Sequence, residues 1–511
     1  MSTTAGAAPV QTVQFLSVEV NDRVAIAGVW LVYSFALTIV ASALSSQYGF
    51  PLDDSYIDLT IARNLAQTGA LGLIRGHVSS GATSPLWAVL QSFNFKLLHV
   101  DPVIFNLGLG WLMLLAIGTL LFLIARKGGF PIGPSFALAA TPALCGNFVW
   151  LATIGMEHLS LVLATVIAVW LWQNERWTGL SACSGLLVLI RPEALVLAPV
   201  FVIAAFLAKR VLPLKVLAGW GIGIALLFSS NLLISHSLMP TTEQGRSWLW
   251  FHENGKHSAY SLGNFLTSYV SRMQFQLPLN AHNAFVRGIQ GACLFGLSAW
   301  GIVRLLRFRN AGVTLLVALA ATHFLVFLLA FPTIGHGGRY QPLFLLLIFP
   351  GLYFCPLFSR RTAPYIIAAS GLLSLTVWHI AVKDSIGHIN ETHGQVATWL
   401  REHTPDGAVI ASYDIGRISY DSNRTVIDLG GLVDPTYLPY LKAGLAPQYV
   451  FDKGVSFVVL PSGEYPFALG FTDLYSYEED AAFCTPTKTW LIGLAYTGNA
   501  EQCQFIYRIA R

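Results

Sequence analysis

Two adjacent carboxylates, Asp53 and Asp54, follow an apolar stretch, Val24 to Leu44, that is long enough to cross a bilayer. Acids at that place are costly unless they are paired, hydrated or used. An Asp ahead of a helical run is also a good N-cap, which accounts for one of the two and leaves the other. Further along, Asp58, Glu157, His158, Arg191, Glu193, Glu243, Arg246, His336, Arg339 and Tyr340 are set at the ends of apolar runs or between them. Carboxylates beside guanidinium groups suit one kind of chemistry. A carboxylate can take the proton of an attacking hydroxyl. An Arg can hold a phosphate at two points and stabilise the charge that develops on it.

The elements that must position these groups are membrane spans. The 511 residues are 54% hydrophobic and only 11% charged, with mean hydropathy +0.60, far from the quarter-charged composition of a soluble protein. Eleven apolar helices are expected: Val24–Leu44, Val103–Ala125, Ile132–Trp150, Leu159–Trp172, Leu180–Ile190, Ala194–Ala208, Val216–Ile234, Gly288–Leu306, Val313–Phe331, Tyr340–Phe358 and Pro364–Val382. Pro85–Leu98 is apolar but short and reads as a helix lying at the interface. Residues 1–23 lack a basic region followed by a cleavage site, so the first span is expected to stay as an anchor.

Charge divides the chain at the last span. Residues 1–382 carry 21 Lys/Arg against 11 Asp/Glu, and residues 383–511 carry 9 against 15. The tail is expected to be a soluble α/β domain, with a helix over 393–402 and strands over 408–412, 424–429, 455–460 and about 507–509. Cys484 and Cys503 both fall in it and are a plausible disulfide if it faces an oxidising compartment. The other cysteines lie in apolar runs. The basic excess upstream falls in short clusters between spans, which speaks against nucleic-acid binding. With the amino terminus inside, Arg126/Lys127, Arg176, Lys209/Arg210/Lys215, Arg304/Arg307/Arg309 and Arg360/Arg361 all land on the inner face. The first loop (45–102), the Glu157 turn, Arg191/Glu193, the large loop (235–286), the 332–339 loop and the tail then share the outer face. That grouping predicts glycosyl transfer from a lipid-phosphate donor instead of a soluble nucleotide sugar.

Each residue also has a plainer reading. Arg191-Pro192-Glu193 fits a buried ion pair at a helix break. Glu157 fits a helix cap, Arg339 a side chain reaching for the interface, and Glu243/Arg246 an exposed helical pair. His158 and His336 fit hydrogen-bonded interfacial residues better than metal ligands. The tail tyrosines and Trp490 fit core packing as well as sugar stacking.

The first-loop residues Asp53-Asp54-Ser55-Tyr56, Ala62-Arg63-Asn64-Leu65-Ala66 and Thr83-Ser84-Pro85-Leu86-Trp87 resemble the first outer loop of GT-C membrane glycosyltransferases. The terminal arabinofuranosyltransferase branch is the most similar. Gly155-Met156-Glu157, Ile190-Arg191-Pro192-Glu193, Leu238-Met239-Pro240-Thr241-Thr242, Gly338-Arg339-Tyr340 and Asp414-Ile415-Gly416 with Asp428–Asp434 follow in that branch's order. Thr241 stands where its Asn is expected, Arg246 where a Lys is expected, and Asp58 is an extra acid. The resemblance implies a polytopic α-helical GT-C domain (1–382) with a small periplasmic α/β domain (383–511) in a bacterial inner membrane. It implies inverting transfer from a polyprenyl-phosphate sugar to a cell-envelope glycan or glycolipid, with Asp54, or Asp53, as base. Arg339, Tyr340, Arg191, Arg246 and His336 are then expected at the donor phosphate, and Glu157, Glu193 and Trp87 at the substrate. A Mg²⁺ or Mn²⁺ held by Asp53, Asp54 and Glu157 is compatible with this set.

Two rivals remain at this stage. A transporter or flippase of lipid-linked sugars would place polar residues near mid-membrane, and the Arg191-Pro192-Glu193 break favours it. A non-catalytic assembly protein would leave the Asp pair idle. The tail is expected to dock over the first loop and to help bind the acceptor glycan.

Overall fold

The computed structural model describes residues 19–249, 284–329, 335–461, 476–486 and 501–510. Most of the large outer loop, residues 332–334 and Trp490 lie outside them. Among the described residues, six helices are long and apolar enough to cross a membrane: Val20–Ser45, Pro102–Lys127, Pro192–Lys209, Leu214–Ser235, Ala311–Leu329 and Ala363–His403. The chain is a multi-pass membrane protein. A bent pair, Ile132–Leu144 and Gly146–Ala152, and four shorter apolar helices, His158–Gln173, Trp177–Ile190, Gly291–Leu306 and Pro342–Phe354, complete the bundle. Together they fall one for one on the eleven expected segments.

The expected straight span over 132–150 is instead bent by 74°. Cys145 is extended at the break, one turn after Pro142, and Gly146 leaves room for Trp378, which its absent Cβ would meet at 2.4 Å. The second half then carries Asn147 and Trp150 inward. Three of the four short helices begin or end at the polar cluster described below, so that cluster forms where spans are cut short.

The two ends of the bundle differ. One gathers basic loops: Arg126 pairs with Asp22 at 2.9 Å, Lys209 with Glu175 at 2.5 Å, and Lys127 donates to Asn174. The other end carries the acids of the first loop, and the tail. The last long helix runs through Ala363–Ile389 and a wide turn, Asn390–Gly394, into Gln395–His403. The final span therefore enters the tail without a linker, its apolar part ending at Val382.

The tail holds one five-stranded sheet: β1 (Val409–Ser412), β2 (Thr425–Asp428), β3 (Phe457–Leu460), β4 (Ser476–Pro486) and β5 (Glu501–Ala510), in the order β2-β1-β3-β5-β4. β1 is parallel to β2 and β3, and β5 is antiparallel to β3 and β4. The first three strands match expectation. β4 escaped the sequence reading because Glu478, Glu479 and Asp480 interrupt its apolar pattern. Cys484 and Cys503 face each other across β4 and β5 and form the expected disulfide.

The tail does not sit apart from the membrane domain. One apolar cluster joins Ile61, Leu73, Ala82 and Ala88 of the first loop to Val396, Leu400, Ile410, Ile415, Ile418, Val426 and Val459 of the tail. Three glycines mark the closest approaches, one of them Gly245, whose Cβ would lie 2.1 Å from the carbonyl of Gly431. A Cβ on Gly416 would lie 2.0 Å from the carbonyl of Asp53, and one on Gly81 would lie 2.7 Å from Cα of Val433.

Candidate functional site

The site starts from the helix Asp53–Thr68. Leu52 precedes it in extended conformation, two acids in the first turn suit the helix dipole, and Gly69 closes it at φ 76°. Neither acid caps it; no side-chain cap bond forms. At 3.6 residues per turn, neighbouring side chains leave the helix about 100° apart. Asp53 turns to the tail and accepts from the backbone N–H of Gly416 at 2.7 Å and of Arg417 at 2.8 Å. Asp54 turns to the bundle and pairs with Arg339. One face of the helix packs with Phe50, Val103 and Ile389 through Tyr56 and Leu59, and another packs on the tail through Ile61.

The rest of the first-loop motif positions the chain. Arg63 donates to the carbonyl of Tyr420 at 2.8 Å and lies over its ring. Asn64 donates to the carbonyls of Gly72 and Leu73. Ser84 caps the helix Pro85–Phe93, with Pro85 at its first position. Nine residues are too few to cross a bilayer. Ser80 and Thr241 hydrogen bond side chain to side chain at 2.7 Å, so the Thr at that place ties the first loop to the helix Thr241–Leu249. Trp87 is buried and donates its indole N–H to the carbonyl of Gly155 at 2.8 Å.

Arg339 is aimed by a glycine turn. Gly337 sits at φ 62° above Trp150 and Trp378, whose rings stack at 5.0 Å, and Asn147 donates to its carbonyl at 2.9 Å. Arg191 is aimed by Pro192, which holds the residue before it extended (φ −150°, ψ 129°). Its guanidinium pairs with Glu193 and with Glu157 at 2.5 Å, and reaches Nε2 of His158 at 3.0 Å. That nitrogen must accept, because a guanidinium only donates. The ion-pair reading of Arg191 and Glu193 therefore holds. Glu157 precedes its helix but makes no cap bond; its carboxylate serves Arg191.

Three guanidinium groups converge on one ring. Arg191, Arg246 and Arg339 lie 5.4, 5.1 and 5.2 Å from the ring centre of Tyr340. Arg246 belongs to no ion pair among the described residues, and Nε of Arg339 is buried without an acceptor. Burial alone would raise the carboxyl of Asp54, but Arg339, with His336 and Arg246, holds it down to about 2. Asp58, one turn on, is pushed well above the carboxylate range by burial, helped by Glu157 and Asp54. Its Oδ2 has no hydrogen-bond partner.

Two cavities meet at Asp54. A narrow one, about 30 Å³, is lined by Asp54, Asp58, Glu157, Arg191, Arg246, Arg339 and Tyr340. A wider one, about 260 Å³, lies between the first loop and the tail and is lined by Asp53, Asp54, His336, His388, His393 and Asp414, among others. Of the residues singled out in the sequence, Glu193 stands behind Arg191 and Trp87 lines neither cavity. His393, Asp414 and Gln504 were missed as site residues. Only the Asp414-Ile415-Gly416 motif hinted at them. Among the described residues no three His, Cys, Asp or Glu side chains are grouped to hold a metal ion. Asp53, Asp54 and Glu157 are committed to different partners and do not form such a group.

The same architecture recurs in solved structures. ArnT from Cupriavidus metallidurans, bound to undecaprenyl phosphate, shares 12% identity with a TM-score of 0.57 over 94% of this chain and 98% of that one. Its apo state gives 0.54 with the same identity and coverage. Arabinofuranosyltransferase AftD from Mycobacteria (14% identity, 94% of this chain and 41% of that one) has a TM-score of 0.43. Residues 384–507 match a domain of unknown function (DUF8728). No curated protein matches the sequence. The protein has the GT-C fold: an apolar helix bundle whose cut-short spans carry an acid-and-arginine site beneath a C-terminal domain.

Proposed function

We propose that the protein transfers a glycosyl residue from a polyprenyl-phosphate sugar to a cell-envelope glycan or glycolipid. The reaction is placed on the periplasmic face of a bacterial inner membrane. The observation that carries this reading is Asp54 at the seam of a cavity that holds Arg191, Arg246 and Arg339 and a wider one lined by acids and histidines without an arginine. The acceptor hydroxyl attacks the anomeric carbon, the bond from that carbon to the phosphate oxygen breaks, and the hydroxyl proton passes to Asp54. The phosphate gains one negative charge as it leaves, and Arg339 and Arg246 stabilise it. Attack from the Asp54 side opposite the phosphate inverts the anomeric carbon.

A carboxylate held near 2 by an Arg is a weak base. The ion pair resolves this. Asp54 holds Arg339, a wall of the narrow arginine cavity. A donor phosphate that claims Arg339 releases Asp54 and raises its basicity when the substrate arrives. The test uses protein in liposomes, radiolabelled polyprenyl-phosphate sugars and a cell-envelope acceptor. Transfer by the parent, lost in Asp54→Asn that still binds donor, supports the reading. Movement of intact donor across the bilayer, unaffected by loss of both acids, would replace it with transport.

A further inference from the structure

The wider cavity carries an inference of its own, which rests on the transfer reading for its biological sense but not for its test. We infer that the cavity between the first loop and the tail is the acceptor subsite, and that it takes a neutral, hydroxyl-rich sugar through Asp414, Gln504 and His393.

The walls come from both halves of the molecule: Asp53, Asp54 and Ile57 from the first loop, and Asp414, Gln504 and Leu432 from the tail. Polar groups on the tail side form a connected set. Gln504 donates Nε2 to Asp414 at 2.6 Å and lies 2.9 Å from Nε2 of His393. His393 Nε2 lies 3.4 Å from Asp414, and its Nδ1 lies 3.8 Å from Asp53. The set is not self-satisfied. Oε1 of Gln504, Nδ1 of His393 and Nδ1 of His388 are buried without hydrogen-bond partners, and His393 and Gln504 are each 4% exposed. Leaving such groups unmet is costly unless an occupant supplies partners. The Asp414 side chain itself stays about a third exposed (32%), which suits it to accept from a ligand hydroxyl.

Charge selects the occupant. Asp53, Asp54 and Asp414 line this cavity with three histidines and no arginine, whereas the narrow one sets three arginines beside Asp54, Asp58 and Glu157. A phosphorylated or otherwise anionic acceptor would meet those carboxylates, whereas sugar hydroxyls would donate to them. The two cavities share Asp54, Ile57 and Leu432. A hydroxyl bound on the tail side therefore lies next to Asp54. Asp53 contributes by position: its bonds to Gly416 and Arg417 hold the segment that carries Asp414.

The test is direct binding, independent of turnover. Full-length protein in nanodiscs is titrated with fluorophore-labelled neutral oligosaccharides from hydrolysed cell-envelope polysaccharide, and separately with phosphorylated ones. Undecaprenyl phosphate serves as the probe of the arginine side. The inference expects the neutral probes to bind. It expects Asp414→Asn and Gln504→Leu each to weaken them by about tenfold, with undecaprenyl-phosphate binding unchanged in variants that still unfold cooperatively. Unaltered affinity in a folded variant overturns it, as does preference for the phosphorylated probes or failure of the parent to bind any oligosaccharide. If Asp414→Asn fails to fold, Gln504→Leu decides alone. Binding as expected with no transfer from any labelled donor would sink the transferase reading and leave this one standing.

Discussion

Asp53 and Asp54 are neighbours in the chain and serve different halves of the molecule. Asp53 accepts backbone N–H groups 363 and 364 residues away in the tail, and Asp54 pairs with Arg339 in the bundle. Equivalent substitutions should therefore fail differently. Asp54→Asn should lower transfer by roughly 10²–10⁴-fold with donor affinity retained. Asp53→Asn should act through tail docking and speed proteolysis at the tail seam. Kinetics and limited digestion, run side by side, separate the two. Equal kinetic losses with equal digestion rates would contradict the division.

Arg246 and Arg339 should also part company. Among the described residues Arg246 has no ion partner to lose, so Arg246→Ala should raise the donor KM about tenfold with a smaller effect on kcat. Arg339→Ala removes a phosphate contact and leaves the half-buried Asp54 unpaired, so both parameters should suffer. A donor titration at fixed acceptor reads both.

The tail seam should loosen as pH rises. Burial alone would lower the pKa of His393, but Asp53 and Asp414 outweigh it and Arg417 opposes them only in part, so the value is raised above 6.5. A raised cationic group stabilises the folded state fully below its unfolded pKa and loses that contribution as pH climbs through the folded value. His388 and Arg417 are the other titratable or cationic groups around it. Hydrogen-exchange protection across residues 409–428, taken relative to the intrinsic exchange rate at each pH, should therefore fall from pH 6.5 upward, and His393→Gln should flatten that dependence. Protection in the parent that does not change with pH would remove His393 from this role.

Gly416→Ala tests the seam by packing alone. Its new Cβ would collide with the carbonyl of Asp53, a backbone atom that cannot move aside cheaply. The substitution should release the Asp53 bonds and expose the shared apolar cluster, read as dye binding and proteolysis. Removing the whole tail is a poorer test, because it would uncover Ile61, Leu73, Ala82 and Ala88 of the first loop.

Reducing the Cys484–Cys503 bridge should destabilise the β4–β5 hairpin. The bridge closes a loop of sequence separation 19, for which chain entropy alone predicts about 3 kcal/mol. Thermal unfolding of Cys484→Ser with Cys503→Ser against the parent measures it.

The sequence by itself determined the segments and the chemistry. Runs of about 20 apolar residues can only be spans in this composition, Arg and Lys clusters mark one end of the bundle, and acids and arginines cut off from apolar runs mark the other. Strands β1 to β3 and the disulfide were legible because β-branched runs and paired cysteines are local signals. The division of labour between Asp53 and Asp54 was decided only by tertiary structure. Sequence reads both as one motif, yet adjacent helical positions point about 100° apart, and what each meets depends on chain hundreds of residues away. The same holds for His393, Asp414 and Gln504. Each looks ordinary in the chain, and only the docking of the tail on the first-loop helix gathers them beside Asp54.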